Sequence, residues 1–282
     1  MNNEPDETRG VVYATTAYLF WGIVPLYWRL LDAVPPREVI VHRIVWCALF
    51  ATALTAVRGR LPYLPGIVRT RRLLATLALT SVLITCNWSV FIYSVATRQL
   101  VEASLGYYIT PLISIGLGVV LFSERMSRPR LVAVALAGVA VAMKSASLGH
   151  IPWIALVLAF SFGFYGYFRK LAPVDAVDGL LVETAIFLPA SLALLFYWRA
   201  AGSTAFGFGN LSRDALLIAS GPVTAVPLAL FAAGARRLRL STLGFLQYLS
   251  PSITLLLATF GFSERFTTFD AISFGCVWAA LL

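Results

Sequence analysis

Tyr108-Ile-Thr-Pro111 followed by Phe122-Ser-Glu-Arg125 recurs as Tyr248-Leu-Ser-Pro251 followed by Phe262-Ser-Glu-Arg265, 140 residues further on. Ile113 and Leu117 recur between the two signatures as Ile253 and Leu257. Upstream, Ala103-Ser-Leu-Gly106 is echoed by Ser241-Thr-Leu-Gly244, and Gly22 and Arg29 by Gly163 and Lys170, 141 residues apart. Matches in this order point to a duplicated chain, so the fold is to be read as two copies of one unit.

The solvent of that unit follows from composition. Of 282 residues 59% are hydrophobic and 12% charged, with a mean hydropathy of +0.82. A soluble domain carries roughly a quarter charged residues. Runs of roughly 20 apolar residues recur throughout, the length needed to cross a hydrocarbon core at about 1.5 Å per residue. Continuous runs favour helices, since a barrel strand would alternate over about ten residues. Ten spans are expected: 11–31, 38–57, 73–96, 100–122, 131–143, 151–168, 179–198, 215–235, 241–262 and 269–282. The fifth and tenth are short, and the end at Leu282 is open between a native stop and a truncation.

The domain plan is then a polar tail over 1–10, a first five-helix repeat over 11–145 and a second over 151–282. An odd number of spans turns the second copy upside down, the inverted-repeat build of many secondary transporters. The formal charge is +9, from 22 basic and 13 acidic residues. The basic residues lie between apolar runs and form no nucleic-acid stripe. Loops on the N-terminal side hold fourteen Lys and Arg against seven opposite, which places both termini in the cytoplasm. Cys47, Cys86 and Cys276 sit inside apolar runs without metal spacing. Neither a metal site nor a cofactor is expected. No phosphate-binding glycine loop, zinc-protease helix or nucleophile elbow occurs, so an enzyme is the least favoured class.

Several stretches carry a family resemblance: Ala17-Tyr-Leu-Phe-Trp-Gly-Ile-Val-Pro-Leu-Tyr-Trp28, His42-Arg43-Ile-Val-Trp46, Asn87-Trp88, Glu102-Ala-Ser-Leu-Gly-Tyr-Tyr108, Pro173-Val-Asp175 and Leu243-Gly-Phe-Leu-Gln-Tyr248. Together they resemble the drug/metabolite transporter superfamily, with two EamA-type domains, and within it the RarD group. Thr110 departs from the group, which more often has Asn before the proline. The resemblance implies a permease of the bacterial inner membrane with ten helices and no ATPase. It supplies no substrate.

Polar residues within spans are candidates for function, because lipid makes them costly. His42 and Arg43 form either an interfacial pair whose Arg snorkels outward or a proton-responsive His beside an anion-attracting Arg. Glu183 is the repeat partner of His42. It either carries a coupling proton or pairs with Arg169 or Lys170. Glu102, a first-turn acid suited to the helix dipole, is a third proton-coupling candidate. Asn87 and Trp88 serve as helix glue or substrate contacts. Tyr107, Tyr108, Gln247 and Tyr248 precede Pro111 and Pro251. Each proline frees a carbonyl one turn back and kinks its helix, so these four are expected to line a cavity, with Trp21 alongside. For Tyr27, anchoring in the interfacial belt is the better reading.

The reading is a secondary transporter of a small metabolite or drug-like compound, working by alternating access with proton exchange as an option. Its partners are the bilayer and a small-molecule substrate, and a homodimer is open. The alternative is a signalling or assembly protein that moves nothing.

Overall fold

A computed structural model describes residues 4–97, 99–128, 131, 132, 134–136, 138, 139, 142, 151–207 and 209–257. The described residues are all-α. Seven helices are long and apolar enough to cross a membrane. They are α1 (Glu4–Arg29), α2 (Pro36–Val57), α4 (Arg71–Ala96), α5 (Leu100–Phe122), α6 (Trp153–Leu171), α7 (Ala176–Ala200) and α8 (Leu211–Ala235). A short helix, α3 (Leu64–Arg69), lies in the connection before α4. The expected span at 131–143, in large part, and the span at 269–282 lie outside the described residues.

Two expectations are corrected. Residues 4–10, read as a polar tail, are helical and extend α1, where Asp6 pairs with Arg237 at 2.9 Å. The ninth span is two helices, α9 (Leu240–Gln247) and α10 (Leu249–Leu256), broken at Tyr248. Pro251 has no N–H to give to the carbonyl of Gln247. The chain tightens there, with Tyr248 N donating to Phe245 O at 3.3 Å, and α10 restarts as Ser252 N donates to Tyr248 O at 3.2 Å. The equivalent Pro111 leaves α5 unbroken.

Local chemistry starts the helices. Pro36 opens α2, where a missing N–H costs nothing. Asp175 caps α7 by accepting from Val177 N at 3.0 Å, and Asn210 caps α8 by accepting from Arg213 N at 3.0 Å. Two starts borrow a carboxylate from α5 or from the residues just past its end. Glu102 accepts from Ile154 N at 2.7 Å at the head of α6. Glu124 accepts from Leu240 N at 2.8 Å, and from Ser241 N and its hydroxyl, at the head of α9. The helix dipole adds to each bond. Glu124 therefore caps a helix of the other half.

Packing is dominated by contacts between the halves. α1 lies on α8 as α4 lies on α6, and α5 lies on α6 as α10 lies on α1. The contacts are reciprocal down to single residues. A Cβ on Gly22 would sit 2.7 Å from Ile253 Cβ, and one on Gly163 would sit 2.5 Å from Ile113 Cγ2. Gly22 and Gly163 are repeat equivalents, and so are Ile113 and Ile253. Equivalents also meet directly: Trp21 packs edge-on against Phe162 at 5.4 Å, and Tyr108 packs on Tyr248. This is the exchange that a two-fold axis generates. The main core lies along it, with Tyr18, Tyr165, Phe231 and Leu228 buried. The outer helix faces expose apolar side chains such as Val120, Phe196 and Leu211, as a lipid-facing surface requires.

Candidate functional site

Two polar centres lie among α1, α2, α4, α6, α7 and α8. The first is built on Glu183, two turns into α7 and 1% exposed. Its Oε1 accepts from the Thr80 hydroxyl at 2.6 Å, and its Oε2 from the Tyr165 hydroxyl at 3.4 Å. Arg169 Nε stands 3.6 Å from Oε1. The Glu183 carbonyl accepts from Ser81 Oγ at 2.5 Å. One residue thus ties α7 to α4 and α6, and its donors suit an ionised carboxylate.

Arg169 is equally buried. Its Nη2 donates to Ala176 O at 3.0 Å, while Nε and Nη1 have no hydrogen-bond partner among the described residues. Its place exists because residue 179 is glycine: a Cβ there would fall 2.2 Å from Nη1. Lys170, the other cation weighed against Glu183, instead donates to the carbonyls of Ala235 and Leu238.

The second centre is Arg43, 8% exposed on α2. Its guanidinium carbon lies 4.4 Å from the Trp28 ring centre and 4.6 Å from that of Trp88. Its Nε donates to Thr224 Oγ1 at 3.1 Å. Cation–π attraction strengthens as water leaves, so two indoles can hold this cation without a carboxylate. A narrow crevice between α2, α4 and α7 runs from Glu183 to Trp88, whose ring packs on Arg43. Ile44, Ile84, Thr85, Trp88, Glu183 and Phe187 line it.

Comparison with known proteins identifies the family. The profile of the EamA-like transporter family matches residues 8–145. An uncharacterized transporter of Pseudomonas aeruginosa is 42% identical over 273 residues, covering 97% of this chain and 92% of its own. Protein RarD of Escherichia coli K12 is 41% identical with the same coverage. The chain belongs to the EamA-like transporter family, in its RarD group. One solved crystal structure shares the fold at a TM-score of 0.70 and 17% identity, covering 98% of this chain and 96% of that one. This EamA-type protein is a multi-span membrane transporter of the drug/metabolite type.

The remaining predicted residues fall in three groups. Trp88 and Glu183 line the crevice, and Arg43 packs on the Trp88 ring. Trp21 sits among Tyr18, Phe162 and Phe231, and Gln247 Oε1 accepts from Ser114 Oγ at 3.0 Å, both in the buried seam between the halves. Tyr108 and Tyr248 share that seam. Tyr107 is partly exposed and stacks near Phe91 at 5.9 Å.

The others hold structure or stand apart. Asn87 donates to Leu158 O and Ser161 Oγ, both at 3.0 Å, and so joins α4 to α6. Glu102 caps α6. Tyr27 donates to Leu216 O. His42 Nδ1 accepts from Trp46 Nε1 at 3.1 Å, which puts the proton of the neutral ring on Nε2. That nitrogen is buried without a partner, and the ring lies 4.9 Å from Phe206.

Residues missed by the sequence reading are Trp28, Thr80, Ser81, Tyr165 and Thr224. Hydroxyls adjoining in an apolar run, as Thr80 and Ser81 do, were the available signal.

Proposed function

We propose that this protein exports a small amphiphilic metabolite or drug-like compound across the bacterial inner membrane, with both termini in the cytoplasm. Two five-helix repeats rock against each other and expose the crevice to each side in turn. The observation that carries this is the exchange of contacts between halves, with Gly22 on Ile253 and Gly163 on Ile113. An inverted pair of repeats has two equivalent ways to pack, and passing between them moves a central site from one face to the other.

Glu183 is the proton carrier in this reading. It sits in the crevice wall beside an Arg that can hold it ionised. Taking up a proton would cancel that attraction and convert one acceptor oxygen to a donor. Thr80 Oγ1 also lies 3.0 Å from Leu77 O, so its hydroxyl can turn to that carbonyl and accept the new proton, and the lost attraction to Arg169 is what couples protonation to α6. Glu102 caps the head of α6 and His42 lies outside the crevice lining, so Glu183 is preferred.

The test compares a deletion strain with one overexpressing the chain, by mass spectrometry of cells and medium, with Glu183→Gln as control. A compound that moves reciprocally between cells and medium, and only with intact Glu183, supports the reading. Accumulation inside the overexpressing cells would reverse the direction. No shift under several growth conditions would favour the alternative of a membrane protein that moves nothing.

A further inference from the structure

The Arg43 centre carries a formal positive charge that nothing in the described structure neutralises. Every other buried ionic group nearby has an assigned partner. Glu183 has Arg169, Glu102 has the head of α6, and Glu38 accepts from Ala205 N at 2.8 Å and Thr204 Oγ1 at 3.3 Å. Arg43 has Thr224 on Nε and two indole rings. Among the described residues its two terminal nitrogens have no partner, and no carboxylate lies within ion-pair distance.

Its depth makes this costly. Arg43 is the eighth residue of α2, roughly 10 Å of helix from the first. A charge at such depth needs a counter-charge, water or a functional reason. The rings of Trp28 and Trp88 fix the group, so its fork is pre-set rather than free to snorkel. A guanidinium held by Nε still presents its two Nη groups side by side, the geometry that binds a carboxylate through two parallel hydrogen bonds.

We propose that Arg43 is the docking point for the carboxylate of an organic acid whose apolar body packs on Trp88 and enters the crevice as the halves part, since the closed crevice has room for about one water. Trp88 serves both parts, since its ring touches the cation and also lines the crevice. Thr224 and Trp28 act as positioning residues that aim the fork. This rests on reading the crevice as the substrate path, and it narrows the substrate to anionic amphiphiles. Neutralising the site with substrate also removes a barrier to rearrangement, because the loaded site is closer to neutral than the empty one.

The experiment uses the full chain purified in a neutral detergent without anionic lipid. Benzoate, phenylacetate and indole-3-acetate are each titrated against their primary amides, with intrinsic tryptophan fluorescence and thermal unfolding as readouts. The expected result is saturable quenching and a raised unfolding temperature with at least one acid, its amide binding at least about tenfold more weakly. Arg43→Lys should bind the same acid more weakly, and Arg43→Gln should lose it. If Arg43→Gln does not fold, Thr224→Val serves as the second variant and should weaken the acid but not the amide.

Equal binding of acid and amide overturns the proposal, as does no saturable response to any of the three acids. A response to phosphatidylglycerol and to none of the acids also overturns it, since the site would then hold a lipid headgroup. Acid binding in a protein that moves nothing across proteoliposomes would leave this inference standing and remove the transport reading. Transport confined to neutral or cationic compounds would do the reverse.

Discussion

Arg169 Nε lies 3.6 Å from Glu183 Oε1, and each side chain is 1% exposed. The separation is longer than a hydrogen bond, so the pair is held by charge more than by directed bonding. Such a pair resists loss of one member more than loss of both. Leaving one charge buried and alone costs about 3–5 kcal/mol, whereas an apolar replacement of both is often near neutral.

Glu183→Gln should therefore lower the unfolding temperature in detergent, and Glu183→Gln with Arg169→Met should recover much of it. The double-variant cycle reads the coupling directly. A double variant no more stable than Glu183→Gln alone would mean that Arg169 is not paired with Glu183 in the folded protein.

The reciprocal glycine contacts make a second prediction. A methyl group on Gly163 presses on Ile113 Cγ2, and overpacking costs about 1–3 kcal/mol. Gly163→Ala should destabilise, and Ile113→Ala should relieve part of that cost, because it removes the Cγ2 that the new methyl meets. The pair Gly22→Ala and Ile253→Ala should behave alike, since that substitution removes the Cδ1 and Cγ2 at 2.9 and 3.0 Å. Strictly additive effects in both pairs, by thermal unfolding, would show that these faces do not touch.

Gly221 should tolerate less. A Cβ there would lie 2.5 Å from both the carbonyl carbon and oxygen of Trp46, and backbone cannot swing aside as a side chain can. Gly221→Ala should separate α2 from α8 and cost more stability than Gly163→Ala. Equal or smaller loss in the same assay would contradict the close approach of these two helices.

At one end of the bundle, Arg58 binds Asp175 through both Nη groups, at 2.8 and 3.2 Å, and Arg60 binds Asp178 at 2.7 Å. Burial alone would raise the Asp175 carboxyl. The Arg58 hydrogen bond, the Val177 N–H and the charges of Arg58 and Arg60 outweigh it and hold it at about 2. A pKa depressed in the fold means that its stabilisation is complete above the ordinary Asp value of about 3.9 and disappears as pH falls toward about 2. Between those limits the wild type should lose more stability than Asp175→Asn. Parallel curves for the two proteins would show that the carboxylate contributes nothing to folding.

Much of this architecture could be read from residue order because membrane helices announce themselves locally, through the length and continuity of apolar runs. The duplication was legible for a similar reason: Tyr108-Ile-Thr-Pro111 and Tyr248-Leu-Ser-Pro251 are short and contiguous. Glu183 and Trp88 could be picked out as polar or amphipathic groups in apolar surroundings. Their partners could not. Glu183 meets Thr80 across 103 positions and Arg43 meets Thr224 across 181, and nothing local in one sequence specifies such a pairing. The break at Tyr248 was half legible, since Pro251 marks a weak point, but Pro111 marks an equal one in an unbroken helix. Neighbouring packing decides between them.

Glu102 in the first turn of α5 and Glu124 just past its end each complete the first turn of a helix made later, α6 and α9 respectively. During synthesis the donors at those two starts emerge after their acceptors are already in place. The order of translation thus becomes an order of assembly, in which the early segment works as a template for the late one. A gene split after α5 should yield a trailing fragment that is degraded when made alone and rescued when the leading fragment is supplied beside it.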